Sequence, residues 1–193
     1  MRAVLSFVLA AEYYTAGFAR GGAWLSLITV IVVIVSVIGA ALGWNEIAVW
    51  DTDILLFGNQ LTMTGMGELQ WHIFAVLVMF GGLQALQEDA HVRVDFIYQS
   101  LKRRQRLAVN LIGHLFLLMP FLFVIIDRSI PSLQLAWLSD SGSDYGGLQD
   151  RWIVKAALPI GFLLILVLTI FQAIEMAIRL LYPKLDQEFG EQC

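Results

Sequence analysis

Four stretches of this chain run for about twenty residues each with almost no charge, and they limit what it can fold into more than anything else in the sequence. Residues 23–43 contain WLSLITVIVVIVSVIGAAL, residues 69–86 contain WHIFAVLVMFGGLQAL, residues 107–126 read LAVNLIGHLFLLMPFLFVII, and residues 152–174 read WIVKAALPIGFLLILVLTIFQAI. A helix needs roughly 20 mostly apolar residues to cross about 30 Å of hydrocarbon. Each stretch is apolar on nearly every face, unlike the one-sided stripe of a soluble amphipathic helix. The β-branched residues of the first do not argue for a strand, because an open sheet edge cannot be satisfied in lipid. Charged residues make up only 15% of the chain and hydrophobic ones 59%, whereas a soluble domain carries about 25% charged residues. Lipid must be the solvent for much of the surface. The expected fold is an all-α membrane protein with four transmembrane helices. No internal repeat and no Gly/Ser or Pro linker divides residues 1–193, so the chain reads as one domain.

The segment before the first span, MRAVLSFVLAAEYYTAGFAR, has one Arg ahead of its apolar run and an aromatic-rich stretch ending in Arg20. A signal peptide would have a more basic start. The better expectation for residues 1–22 is an amphipathic helix lying in the membrane interface. Basic residues then orient the spans. Nine of the twelve Lys and Arg residues fall in the two ends and the loop after span two: Arg2, Arg20, Arg93, Lys102, Arg103, Arg104, Arg106, Arg179 and Lys184. Three fall elsewhere: Arg128, Arg151 and Lys155. Both termini and the middle loop are therefore expected in the cytoplasm. The loop at 44–68 has no basic residue; it contains IAVW and ILLF, too short to span, and is expected to form a surface-lying or re-entrant helix.

Several functions lack the residues they require. The net charge is −4 and the basic residues form no broad stripe, so nucleic acid is not an expected partner. Cys193 is the sole cysteine, so no intrachain disulfide can form. His72 lies about one turn inside the outer end of span two and His114 about two turns inside the inner end of span three. At 1.5 Å per residue their depths differ by on the order of 10–15 Å, too far for the two axial ligands of one haem. In EDAHVRVDFIY, His91, Arg93 and Asp95 give neither the ligand set zinc requires nor a nucleophile beside a base. Ionisable residues within spans point to function by default, but Glu68, Lys155, Glu175 and Arg179 all stand near span ends. Pro120 and Pro159 read as tolerated kinks rather than as the paired broken helices of a secondary transporter. No catalytic, cofactor or metal site is expected. Gln70, Gln84, Asn110, Gln172 and the Gly81–Gly82 pair are candidates for helix contacts.

Residues 67–98, GELQWHIFAVLVMFGGLQALQEDAHVRVDFIY, resemble the small, DctQ-like membrane subunit of tripartite ATP-independent periplasmic (TRAP) transporters. The matching features are Glu68-Leu69-Gln70-Trp71 opening the second span and His91-Val92-Arg93-Val94-Asp95 closing it. A further similar stretch is GGLQDRWIVKAALPIGFLLIL, residues 146–166. Two departures lie on the outer side: a longer loop before Glu68, and a run SDSGSDY without the expected Glu-x-Ser. The resemblance implies an accessory subunit of the bacterial inner membrane. It would be a fixed partner of a large sodium-coupled membrane subunit that takes up an organic acid or related solute. A periplasmic substrate-binding protein would deliver that solute and bind only transiently. Glu68, Trp71, Glu88, Asp89, His91, Arg93 and Asp95 would be structural or subunit-contact residues. Arg151, Trp152 and Lys155 would contribute to the outer surface met by the binding protein. A membrane anchor of a respiratory enzyme is the competing reading.

Overall fold

The computed structural model describes residues 22–88, 98, 100–139, 142–143 and 146–182. The interfacial helix expected over 1–22 lies outside the described residues apart from Gly22, from which the first span starts. Helix α1 covers Ala23–Ala41. In lipid its hydroxyls turn back on the helix itself: Thr29 Oγ1 donates to the Leu25 carbonyl and Ser36 Oγ to the Val32 carbonyl, both at 2.8 Å. The helix ends in a Schellman motif. Gly43, at φ +73°, donates its N–H to Ala40, and Trp44 donates to Gly39.

The chain then departs from expectation. Residues 44–62 form an antiparallel hairpin, strand β1 (Glu46–Ile54) paired with strand β2 (Gly58–Thr62), where a surface or re-entrant helix was expected. The protein is thus mostly helical, not all-α. The pairing sets Glu46 against Thr62, Ala48 against Leu61, Val49 against Gln60 and Ile54 against Gly58, with register shifts between Glu46 and Ala48 and between Val49 and Ile54; β-branched and aromatic residues such as Ile47, Val49 and Trp50 suit such a strand. The turn is apolar, Leu55-Leu56-Phe57, with Leu56 at φ +76° and Gly58 at φ +62°. It carries none of the Asn, Asp or Pro signals that mark turns in a sequence. Trp50 braces it, its indole N–H donating to the Gly58 carbonyl at 2.6 Å and its ring meeting Phe57 edge-on.

Strand β2 runs straight into helix α2, Met63–Gln87, because Thr62 is its N-cap and accepts from the Gly65 N–H at 3.0 Å. Helix α3, Arg103–Gly113, continues through one π turn, His114–Leu118, into α4, Met119–Leu138. The π turn falls directly before Pro120, whose ring would crowd the carbonyl four residues back and which has no N–H for an α-helical bond. Span three was expected at 107–126, yet this rod is 36 residues long, about 54 Å, and passes through the exposed Asp127–Arg128 pair. Helix α5, Trp152–Leu181, continues unbroken through Pro159.

These four helical rods are each long and apolar enough to cross a membrane. Helix α5 packs against α4, α2 and α3, while α1 packs on α2. The buried core consists of Leu83 and Leu86 from α2, Leu122 from α4, and Ile165 and Leu168 from α5. Close approach of α2 and α5 depends on Gly161, where an added Cβ would come within 2.5 Å of Met79 Cγ. Many of the other large side chains of the four rods, among them Trp24, Val37, Phe116 and Phe123, are exposed as a lipid-solvated surface should be.

Candidate functional site

At the hairpin end of the bundle, Glu68 holds three segments together. It stands in the second turn of α2, and its carboxylate meets only donors. Ser143 Oγ–H donates to Oε1 at 2.7 Å, the Leu148 N–H to Oε2 at 2.8 Å, and Arg151 Nη2–H to Oε1 at 2.9 Å. The pair is neither open nor sealed, with the Arg151 side chain 35% exposed and that of Glu68 20%. The carboxylate lies so close over Gly147 that a Cβ there would collide with it. Helix α2, the connection from Ser143 to Leu148 and the N-cap of α5 are thereby joined at one point.

A second knot lies beside the first. Asp150, held at φ +50°, accepts from the Leu56 N–H at 3.2 Å with one oxygen and from the Trp152 indole N–H at 3.2 Å with the other. The Gln149 N–H donates to the Leu56 carbonyl at 2.8 Å. Leu56 is a non-glycine residue with positive φ, which costs on the order of 1 kcal/mol. Both of its backbone polar groups are bound by the α5 approach, so tertiary contacts hold the turn in that conformation. Thr62 Oγ1 donates to the Gly146 carbonyl at 2.8 Å, closing the base of the hairpin on the same connection. The hairpin therefore lies across the entry to α5 and is pinned at both its base and its tip.

The residues singled out in the sequence divide between two ends. Glu68 and Arg151 come together as an ion pair, and Trp152 stands beside them, packed edge-on against Trp137 at 4.7 Å. Lys155 follows one turn along α5, half-buried. Trp71 meets Phe74 but is 72% exposed and faces away from the bundle. Glu88 caps the far end of α2, receiving the Gln84 amide. Asp89, His91, Arg93 and Asp95 lie outside the described residues. Ser143, Gly147, Gln149 and Asp150 escaped the sequence reading. Ser143 belongs to the run that lacks the expected Glu-x-Ser, and here it supplies a hydroxyl to Glu68. The only hint was the Gly146–Gly147 pair ahead of a charged dipeptide.

A second polar seam ties the other end. His114 Nε2 lies 3.1 Å from Gln172 Oε1, and the Gln172 amide donates to the Leu86 carbonyl at 3.2 Å. Asn110 donates to the Tyr98 hydroxyl at 2.9 Å. His72, by contrast, places Nδ1 2.7 Å from the Glu68 carbonyl. Fourteen residues of α2 separate it from Leu86, about 21 Å along the axis. His72 thus belongs to the Glu68 end of α2, and His114 to the seam at the Leu86 end. Among the described residues, no three His, Cys, Asp or Glu side chains converge as a metal site would require.

Charged groups anchored at span ends, apolar middles and polar interhelical seams describe a membrane component whose helices are tied together at both ends. The sequence matches the family profile described as "Tripartite ATP-independent periplasmic transporters, DctQ component" over residues 29–181. No curated protein and no solved structure matches the chain. The match takes in all four rods but for the first turns of α1, and with them the hairpin, both polar seams and the residues 67–98 that carried the resemblance. The chain belongs to the DctQ family, the small membrane component of TRAP transporters.

Proposed function

We propose that this subunit braces rather than transports: it holds a large sodium-coupled membrane subunit in place while that subunit takes up an organic acid or related solute. A periplasmic binding protein delivers the solute, and the assembly sits in the bacterial inner membrane with both termini of this chain in the cytoplasm. The family supports the setting, since its members work beside a large membrane subunit and a periplasmic binding protein. The bracing role rests on Glu68. Its carboxylate is taken up by Ser143, Leu148 and Arg151 of the same chain, which suits a clamp better than a cargo site. Glu68 is then structural, and exposed Trp71 is a contact for the large subunit. Glu88, Asp89, His91, Arg93 and Asp95 supply the contact on the cytoplasmic side. Arg151, Trp152 and Lys155 shape the outer surface met by the binding protein. Arg151 and Trp152 do so by fixing the hairpin, whose Val49 and Leu55 are exposed.

The test is copurification and uptake in the assembled transporter. Replacing Arg93 or Asp95 by Ala is expected to release the small subunit from its larger partner and lower uptake by about tenfold, the effect of a contact worth about 1.4 kcal/mol. Undiminished assembly and uptake in both variants would remove this stretch from the interface.

A further inference from the structure

The uncharged stretch at 107–126 is bounded by Arg106 on one side and Asp127 on the other. Twenty residues of helix measure about 30 Å, the thickness of the hydrocarbon layer. Arg106 and the residues just before it therefore stand at the level of lipid headgroups. Four of the five residues at 102–106 are basic, and Lys102, Arg103 and Arg104 are exposed. Arg106 is anchored by its own Nε–H, which donates to the Leu101 carbonyl at 2.9 Å, and its guanidinium lies 5.4 Å from the centre of the Tyr98 ring. Beside them is a hollow of about 420 Å³ lined by Tyr98, Arg103, Arg106, Leu107 and Asn110. Its wall passes within one turn from the cationic Arg103 and Arg106 to the uncharged Leu107 and Asn110, at the start of a stretch one hydrocarbon thickness long, where a phospholipid changes from phosphate to glycerol.

We propose that this hollow and the Lys102–Arg104 flank bind the phosphate of an anionic phospholipid, with the guanidinium groups of Arg103 and Arg106 on the headgroup and Leu107 against the glycerol end. Juxtamembrane clusters of four or more basic residues are attracted to anionic lipid, by about fivefold in affinity for each Lys or Arg. The hollow adds a shape that a flat basic surface lacks. Under the orientation proposed above the lipid belongs to the cytoplasmic leaflet, although its chemistry does not depend on that assignment. The lipid would fix the depth of α3 and so the level at which the neighbouring loop meets a partner.

The experiment uses the full chain in detergent, titrated with phosphatidylglycerol and separately with phosphatidylcholine of the same acyl chains, and followed by native mass spectrometry. Phosphatidylglycerol is expected to bind at least tenfold more tightly. Lys102→Gln with Arg104→Gln should weaken it by about twentyfold or more, and Lys102→Arg with Arg104→Lys should leave it unchanged. These two side chains are exposed, so the variant is expected to stay monodisperse. Arg103→Gln with Arg106→Gln tests the hollow itself, with Arg103→Lys and Arg106→Lys as the matched charge-keeping pair. Equal binding of the two lipids, or indifference to both Gln variants, would overturn the proposal. So would displacement of phosphatidylglycerol by millimolar inorganic phosphate, which would mark a site for free anions. No partner protein is needed, so this result stands apart from the bracing role.

Discussion

Helices α1 and α5 both carry long runs of Leu, Ile and Val, yet they occupy opposite positions in the bundle. Helix α5 is the axle: Pro159, Gly161, Ile165, Leu168, Thr169 and Ala173 are buried along it, and it packs against both α2 and the α3–α4 rod. Helix α1 buries little and meets α2 along one flank. Lipid tails are as apolar as leucine, so hydrophobicity cannot sort a helix to the centre or the edge of such a bundle. Small residues and polar ties do the sorting. On α5, Gly161 admits Met79, Gly82 of α2 comes within contact distance of Ile165, and both ends are pinned, by Arg151 to Glu68 and by Gln172 to the Leu86 carbonyl. On α1, Gly39 admits Met63, and Ser36 accepts one hydrogen bond, from Gln70 at 2.7 Å.

If that contrast is right, damage should scale with the seam it strikes. Glu68→Ala should have the largest effect, since it strands the Arg151 guanidinium and the Leu148 N–H at the end of the α2–α5 seam. The expected loss is about 2–3 kcal/mol, below the range for a fully buried pair because water reaches Arg151. A thermal-unfolding scan in detergent would read it as a drop in melting temperature, and an unchanged value would mean the clamp is ornamental. Gly161→Val comes next, at about 1–3 kcal/mol from overpacking against Met79. Measured alongside Gly113→Val, where nothing lies within reach of an added Cβ, it should separate clearly. Equal losses would show helix propensity rather than packing at work. Smallest is Gln70→Leu, which removes the α1 tie: interhelical hydrogen bonds in membranes average about 0.6 kcal/mol. A loss as large as that of Glu68→Ala would break the distinction between the two seams.

The spans were legible because backbone groups in hydrocarbon must be satisfied within the segment, which leaves a helix as the only reading of twenty apolar residues. The hairpin was not. Its turn has apolar residues where turn signals are sought, and Leu56 holds its positive φ through Gln149 and Asp150, more than ninety residues away. The extension of span three beyond Ile126 was hidden by Asp127 and Arg128, charges that a helix emerging into headgroups carries readily. Glu68 and Arg151 were both conspicuous as charges at span ends, but nothing local could pair them, and each was given a separate role.

The sequence by itself therefore determined that this chain has four segments long and apolar enough to cross a membrane, where its charges sit along each of them, and which family it resembles. Those properties follow from transfer of single side chains and backbone groups between water and lipid. Only the tertiary structure decided that α5 and not α1 lies at the centre, that the first connection is a strand pair, and that Glu68, Ser143, Leu148 and Arg151 form one clamp. Those depend on close approach and directional hydrogen bonds between segments far apart in the chain, where a missing Cβ or one well-placed donor counts for more than hydrophobicity.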